Sequence, residues 1–223
     1  VFDRFFRVPA ESVKARKGTG TAVGKRQHAK SRKRWDRILE AATALFNERG
    51  FAATSMQDIS DRVELQKGSL YYYVDSKEML LFEILRDLHH GGEALVAGVN
   101  FDAEDALSEL RSFLVQIGIY AGVHGDRLRI FSRDLDFLPP EQQREIISER
   151  HLYRDAVERL INRAVKTGQV SPNIDVLVAS QMALQSSAGI SDWYRAGGPI
   201  PIERIAVQTA GLVVQGLRDY GKA

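Results

Sequence analysis

Between Thr54 and Lys77 the chain concentrates side chains suited to hydrogen bonding with a duplex: Gln57, Lys67, Ser69, Tyr71, Tyr72 and Tyr73. Amide, ammonium and hydroxyl groups of this kind meet base edges and phosphate oxygens. Bond-breaking chemistry has no comparable set. The five histidines, His28, His89, His90, His124 and His151, fall in no recognisable arrangement with a nucleophile, and His89 and His90 read as exposed polar residues rather than ligands. Neither Gly-x-Ser-x-Gly nor His-Glu-x-x-His occurs. Zero cysteines exclude disulfides, thiol nucleophiles and Cys-ligated zinc, and fit a reducing compartment. No catalytic residue, metal site or cofactor is expected, so the chain reads as a binding protein and not as an enzyme.

The elements that position these groups follow from periodicity. Ile59 and Val63 give one helix an apolar stripe, and Leu70 and Val74 do so for the next. The connector, about Glu64 to Lys67, is short enough to force a sharp corner. Two helices so joined form a helix-turn-helix, whose second helix can enter a major groove. Thr54 or Ser55 caps the first helix, with Asp58 near its positive end. Free backbone N–H groups at that terminus also suit a phosphate. Gly68 lets the second helix approach DNA closely. Three consecutive tyrosines cannot all turn inward, although at least one is expected to. Ser76 caps the following helix. Lys77 in its first turn opposes the helix dipole, a conflict that a nearby anion explains. Upstream, a helix from about Arg32 to Glu48 carries Trp35, Ile38, Leu39, Ala42, Leu45 and Phe46 on one face and stops at Gly50.

Phe46-Asn-Glu-Arg-Gly50-Phe51, Ala53 to Ile59, Lys67 to Val74 and Ser76-Lys77-Glu78 stand in an order and spacing that resemble the TetR family of bacterial transcriptional repressors. The likeness covers roughly residues 33–85. It departs at Glu64, where the family usually has glycine, and at Val74, where an aromatic is common. The resemblance implies an all-α protein with an N-terminal three-helix DNA-binding unit and a C-terminal helical ligand-binding and dimerisation domain, about nine helices in all. It implies a DNA-binding set of Thr54, Ser55, Gln57, Lys67, Gly68, Ser69, Tyr71, Tyr72 and Lys77. Within that set the family pattern puts Tyr71 on a phosphate and Tyr72 toward the groove.

The rest of the 223 residues is helical by period, with 44% hydrophobic residues and no apolar run near the length of about 18 that spans a bilayer. No signal-peptide pattern opens it, so a cytoplasmic location is expected. Residues 1–34 hold eleven Lys or Arg against two acidic residues, whereas the whole chain carries only +2. Residues 1–31 read as a flexible basic arm for phosphates, or as a solvated tail. The division expected is arm 1–31, helix-turn-helix domain 32–78 and ligand-binding and dimerisation domain 79–223. Gly91-Gly92 reads as a break or kink in the fourth helix. Asp102 reads as the N-cap of the fifth. The eighth and ninth helices, about Asp175 to Ser191 and Ile202 to Arg218, are rich in small residues (Ala179, Ser180, Ala183, Ser186, Ser187, Ala206, Thr209, Ala210, Gly211) that allow close approach. They serve internal packing or, as the resemblance implies, a four-helix homodimer interface.

Phe113, Ile117, Tyr120, Phe131 and Trp193 are candidate pocket residues, with Gln181, Arg133 and Asp134 as polar fixes. Most of them fit a plain core equally well. Trp193 to Pro199 is similar to a segment in a branch of the family that responds to coenzyme A thioesters of fatty or steroid-derived acids. The function expected is a ligand-responsive repressor that binds a palindromic DNA operator as a homodimer and is released by a small apolar effector such as an acyl-CoA thioester. The alternatives are an all-α enzyme acting on an acyl-CoA-like substrate and a ligand-independent DNA binder.

Overall fold

The helix read from Arg32 begins ten residues earlier. In the computed structural model, which describes residues 22–221, α1 runs from Ala22 to Arg49. Gly24 does not break it. Ala22, Lys25, Arg26, Gln27, Ala29 and Lys30 are good helix formers, and summed over the turn they outweigh one glycine. The arm expected over residues 1–31 thus loses its last ten residues to α1, and residues 1–21 lie outside those described. Two short helices follow, α2 (Met56–Arg62) and α3 (Lys67–Tyr71), and then a long one, α4 (Lys77–Ala97). Six more complete the chain: α5 (Ala106–Val123), α6 (Gly125–Asp134), α7 (Pro140–Lys166), α8 (Val176–Ala188), α9 (Ile190–Trp193) and α10 (Ile202–Asp219). All regular structure among the described residues is helical.

One apolar cluster runs from Ile38 and Phe46 of α1 through Leu80, Leu85, Leu110, Phe113 and Leu160 to Leu217 of α10. It crosses the expected boundary at residue 78, because α4 packs on both α1 and α7. A satellite of Ile119, Ile190, Ile202, Ile205 and Ala206 joins α5, α9 and α10. Most of the small residues of α8 and α10 point into this interior. Ala179, Ser180, Ala183, Ser187, Ala206 and Ala210 are buried within the chain. The close approach they allow is therefore intramolecular.

Three sequence expectations fail here for physical reasons. His89, read as exposed, is buried on α4 with its ring edge-on to Phe131 at 5.4 Å. Gly91 and Gly92 do not break α4, which is continuous to Ala97. They admit two tyrosines. A Cβ on Gly91 would collide with the Tyr120 hydroxyl, and one on Gly92 would fall on that of Tyr153. The Tyr120 hydroxyl donates to the Leu88 carbonyl at 2.5 Å. Gly92→Ala is therefore expected to destabilise the protein by about 1–3 kcal/mol through overpacking, despite alanine's better helix propensity. Urea unfolding of the variant checks this, and adding Tyr153→Leu should recover part of the loss. Asp102 does not cap α5 either. Asp105 does, its carboxylate accepting from the Ser108 amide at 3.0 Å, whereas the Asp102 amide bonds the Asn100 side chain in the preceding turn.

The Tyr120 ring also lies 4.2 Å from His124, the single residue between α5 and α6. Burial, with Arg127 acting in the same direction, pushes the His124 imidazole down to about 4. Its folded-state value is thus depressed below the usual 6.5. This contribution is complete above that value and is lost as pH falls toward 4, to a total of about 3 kcal/mol. Between pH 7 and 4.5 the urea midpoint should fall further for the wild-type chain than for His124→Phe.

Candidate nucleic-acid interface

Ser55 caps α2 through a reciprocal pair: its hydroxyl accepts from the Asp58 amide, and the Asp58 carboxylate accepts from the Ser55 amide at 2.8 Å. A bond donated by the Ser55 hydroxyl to the Asp58 carboxylate, then the one from the Ser55 amide, and nearby Arg49 hold that carboxyl below the usual range. A cap of this kind contributes about 1 kcal/mol. Salt bridges Arg49–Asp58 (3.4 Å) and Arg62–Glu48 (2.9 Å) tie α2 to α1. The turn follows. Glu64, standing where a glycine was expected, adopts φ +57°. The left-handed conformation is kept without the residue that favours it, and strain of about 1 kcal/mol is stored there. Glu64→Gly should raise stability slightly, a rise in melting temperature of a few degrees by calorimetry; no change would mean that the strain is relieved locally.

From this corner α3 buries Leu70, and the chain buries Val74 just beyond it. Tyr73 packs partly against the core, and the remaining side chains of α3 and its end face outward. Lys67, Gly68, Ser69 and Tyr71 are exposed, and Tyr72 is 84% exposed, its ring edge-on to the half-buried Tyr73 at 5.3 Å. A Cβ on Gly68 meets nothing within 4 Å, so the surface there is open to an approaching backbone. Gln57 is exposed on α2, with its amide on Asp61 at 2.7 Å. Ser55, Gln57, Lys67, Gly68, Ser69, Tyr71 and Tyr72 all lie exposed on α2, α3 and their ends.

Two residues of the expected set stand apart. Thr54 is 1% exposed, and its hydroxyl donates to the Gly50 carbonyl at 2.8 Å. It closes the end of α1 instead of facing solvent. Lys77 donates to the carbonyls of Phe51 and Thr54, both at 2.7 Å, and its ammonium lies 4.3 Å above the Phe51 ring. The anion that its place in the first turn of α4 called for is met by two carbonyl dipoles and an aromatic face. Sequence reasoning also passed over two cations. Arg34 and Arg37 of α1 border a crevice of about 180 Å3 with Val63, Glu64 and Leu65 of the turn. Their i, i+3 spacing on the polar face of α1 was the available signal.

The expected pocket residues divide between the core and the surface. Phe113, Ile117, Tyr120 and Phe131 are buried members of the main core. Trp193 is 58% exposed and Gln181 is exposed. Arg133 and buried Asp134 form an ion pair at 2.7 Å, and Arg133 also donates to the Phe46 carbonyl at 2.5 Å. This pair fastens α6 to the C-terminal end of α1. Asn47 adds a bond to the Asp126 carbonyl at 3.2 Å. Both contacts join the helix-turn-helix unit to the remainder of the chain. Among the described residues no group of three or more His, Asp or Glu could hold a metal ion, and no helix is long and apolar enough to cross a membrane.

Residues 38–84 match the bacterial regulatory proteins of the tetR family, and residues 103–217 match the tetracyclin repressor-like C-terminal domain. The HTH-type transcriptional repressor KstR2 of Rhodococcus jostii (strain RHA1) is 28% identical over 185 residues, covering 81% of this chain and 89% of its own. The TetR family transcriptional regulator PfmR from Thermus thermophilus superposes with a TM-score of 0.72 at 30% identity, over 81% of this chain and 98% of its own. AibR, in complex with isovaleryl coenzyme A and operator DNA, does so with a TM-score of 0.69 at 27% identity, over 80% and 97%. These relatives are regulators of transcription and not enzymes.

Proposed function

This chain belongs to the TetR family of bacterial transcriptional regulators, and from that membership we propose that it is a cytoplasmic, ligand-responsive repressor. It binds a palindromic operator as a homodimer and is released by a small apolar effector of the acyl-CoA class. The observation that carries the DNA half of this reading is Tyr72, a large aromatic left 84% exposed beside Lys67 and Ser69. A surface that faces only water gains nothing from such a ring, whereas a groove and its phosphates use both its face and its hydroxyl. Ser55, Gln57, Lys67, Gly68, Ser69, Tyr71 and Tyr72 form the contact set. Arg34 and Arg37 add charge at its border. Thr54 and Lys77 support the set by holding α1, α2 and α4 together.

The dimer rests on a different observation from the small residues. Leu177, Val178 and Met182 on α8, and Val207 and Leu212 on α10, are exposed, Met182 at 66% and Leu212 at 77%. The two helices pack on each other. Their outer faces form an apolar surface that an isologous partner covers. Two helix-turn-helix units per particle then read two half-sites.

The effector enters the core around Phe113, Ile117, Tyr120 and Phe131, which is packed shut without it. Opening that core shifts α6 and its Arg133 contact on α1, so ligand and operator favour different conformers. AibR, which carries isovaleryl coenzyme A, supports the effector class. We assign residues 32–78 to DNA binding and residues 79–223 to effector binding and dimerisation. A mobility-shift titration tests the reading: isovaleryl-CoA or a longer acyl-CoA should release a duplex selected by the protein. A ligand-insensitive complex would contradict it.

A further inference from the structure

Helix α7 presents Arg159, Asn162, Arg163 and Lys166 to an open crevice of about 370 Å3, walled on its other side by Phe101 and Asp102 of the α4–α5 connection. The three cations recur at i, i+4 and i+7, which places them on one face of the helix. Two are held in position. The Arg159 guanidinium lies 3.7 Å from the Phe101 ring centroid, and Arg163 donates to the carbonyls of Ala103 and Asp102, both at 3.4 Å. Among the described residues none of the three forms an ion pair with an acidic side chain. The negative end of a helix favours a cation in its last turn, which alone accounts for Lys166. It does not account for Arg159, two turns earlier and stacked on a ring from another segment.

The anion these groups face is not the operator. Phe137, just ahead of α7, stacks on Phe51 of the DNA-binding unit at 4.8 Å. Arg159 stands nineteen residues after Pro140, about 29 Å further along the helix at 1.5 Å per residue. The crevice therefore lies at the opposite end of the ligand domain. On the other side of the same turns, Leu160 and Ala164 point into the apolar core.

We propose that this crevice binds the phosphate-rich nucleotide end of a coenzyme A thioester, a deepening that rests on the effector class put forward above. Arg163 and Lys166 meet phosphate oxygens. The outer face of the planar Arg159 guanidinium offers a flat cation against which a base can stack. The acyl group then lies toward the core side of α7.

Calorimetric titration of the full chain with free coenzyme A, and with inorganic pyrophosphate, tests this. The comparison is with the Arg159→Gln/Lys166→Glu double variant, and with Lys166→Glu alone in case the double variant unfolds. Coenzyme A should bind the wild-type chain, be displaced by pyrophosphate, and bind the variants at least about tenfold more weakly, with operator affinity in the absence of effector unchanged. Coenzyme A binding that the substitutions or pyrophosphate leave untouched would overturn the proposal. A wild-type chain that binds operator but no coenzyme A removes the crevice alone; one that binds no operator removes the regulator reading itself.

Discussion

Leu212→Asp is expected to abolish operator binding at concentrations where the wild-type chain saturates the duplex. Leu212 is 77% exposed in the single chain, and Met182, Leu177 and Val178 are exposed on α8, which packs on the same helix. If a second copy covers this surface, each Leu212 gains about 2 kcal/mol from burial. A carboxylate in its place loses that gain and must also be desolvated without a partner. In an isologous interface every change is made twice, so the penalty exceeds about 6 kcal/mol per dimer. That is more than four decades in the association constant. In the isolated chain the position touches solvent, so the fold should be untouched. Light scattering should report half the mass, circular dichroism an unchanged helix content, and the mobility shift no complex. A variant that remains dimeric would move the interface away from α8 and α10.

The second large effect belongs to α3. Tyr72→Ala and Lys67→Ala should each lower operator affinity about 10- to 100-fold, the range for losing a groove or phosphate contact in both half-sites. The two should differ in kind. Lys67→Ala removes one phosphate contact per half-site, so the slope of log K against log salt should become shallower by about two. Tyr72→Ala removes a contact without charge and should leave the slope as it is. Neither residue is buried, so melting temperature and dimer mass should hold.

The helix-turn-helix was legible because its signals are local. A cap at Ser55, a corner at Glu64 and apolar pairs at Ile59/Val63 and Leu70/Val74 leave one arrangement. Glu64 shows how far that locality goes: the turn keeps its positive φ at a residue other than glycine, between the buried Val63 and Leu70. What stayed hidden depended on partners distant in sequence. Gly91-Gly92 looked like a break because Tyr120 and Tyr153, which fill the space, lie 29 and 61 residues away. The bonds that hold Lys77 were hidden in the same way, because the carbonyls it meets, those of Phe51 and Thr54, lie 26 and 23 residues away. The small residues of α8 looked like a dimer seam, but residues of that type suit any close helix contact. The exposed Leu177, Met182 and Leu212 mark the outer face more clearly, and only the structure separates them from core leucines of the same period.

A homodimer with two helix-turn-helix units must bind a site of matching symmetry. Repeated selection from a random duplex library, followed by sedimentation of the selected duplex with the chain, measures that symmetry. The account predicts an enriched inverted repeat whose half-sites lie one or more helical turns apart, bound by an even number of chains. Enrichment of an asymmetric site held by a single chain, or of no sequence at all, would contradict it.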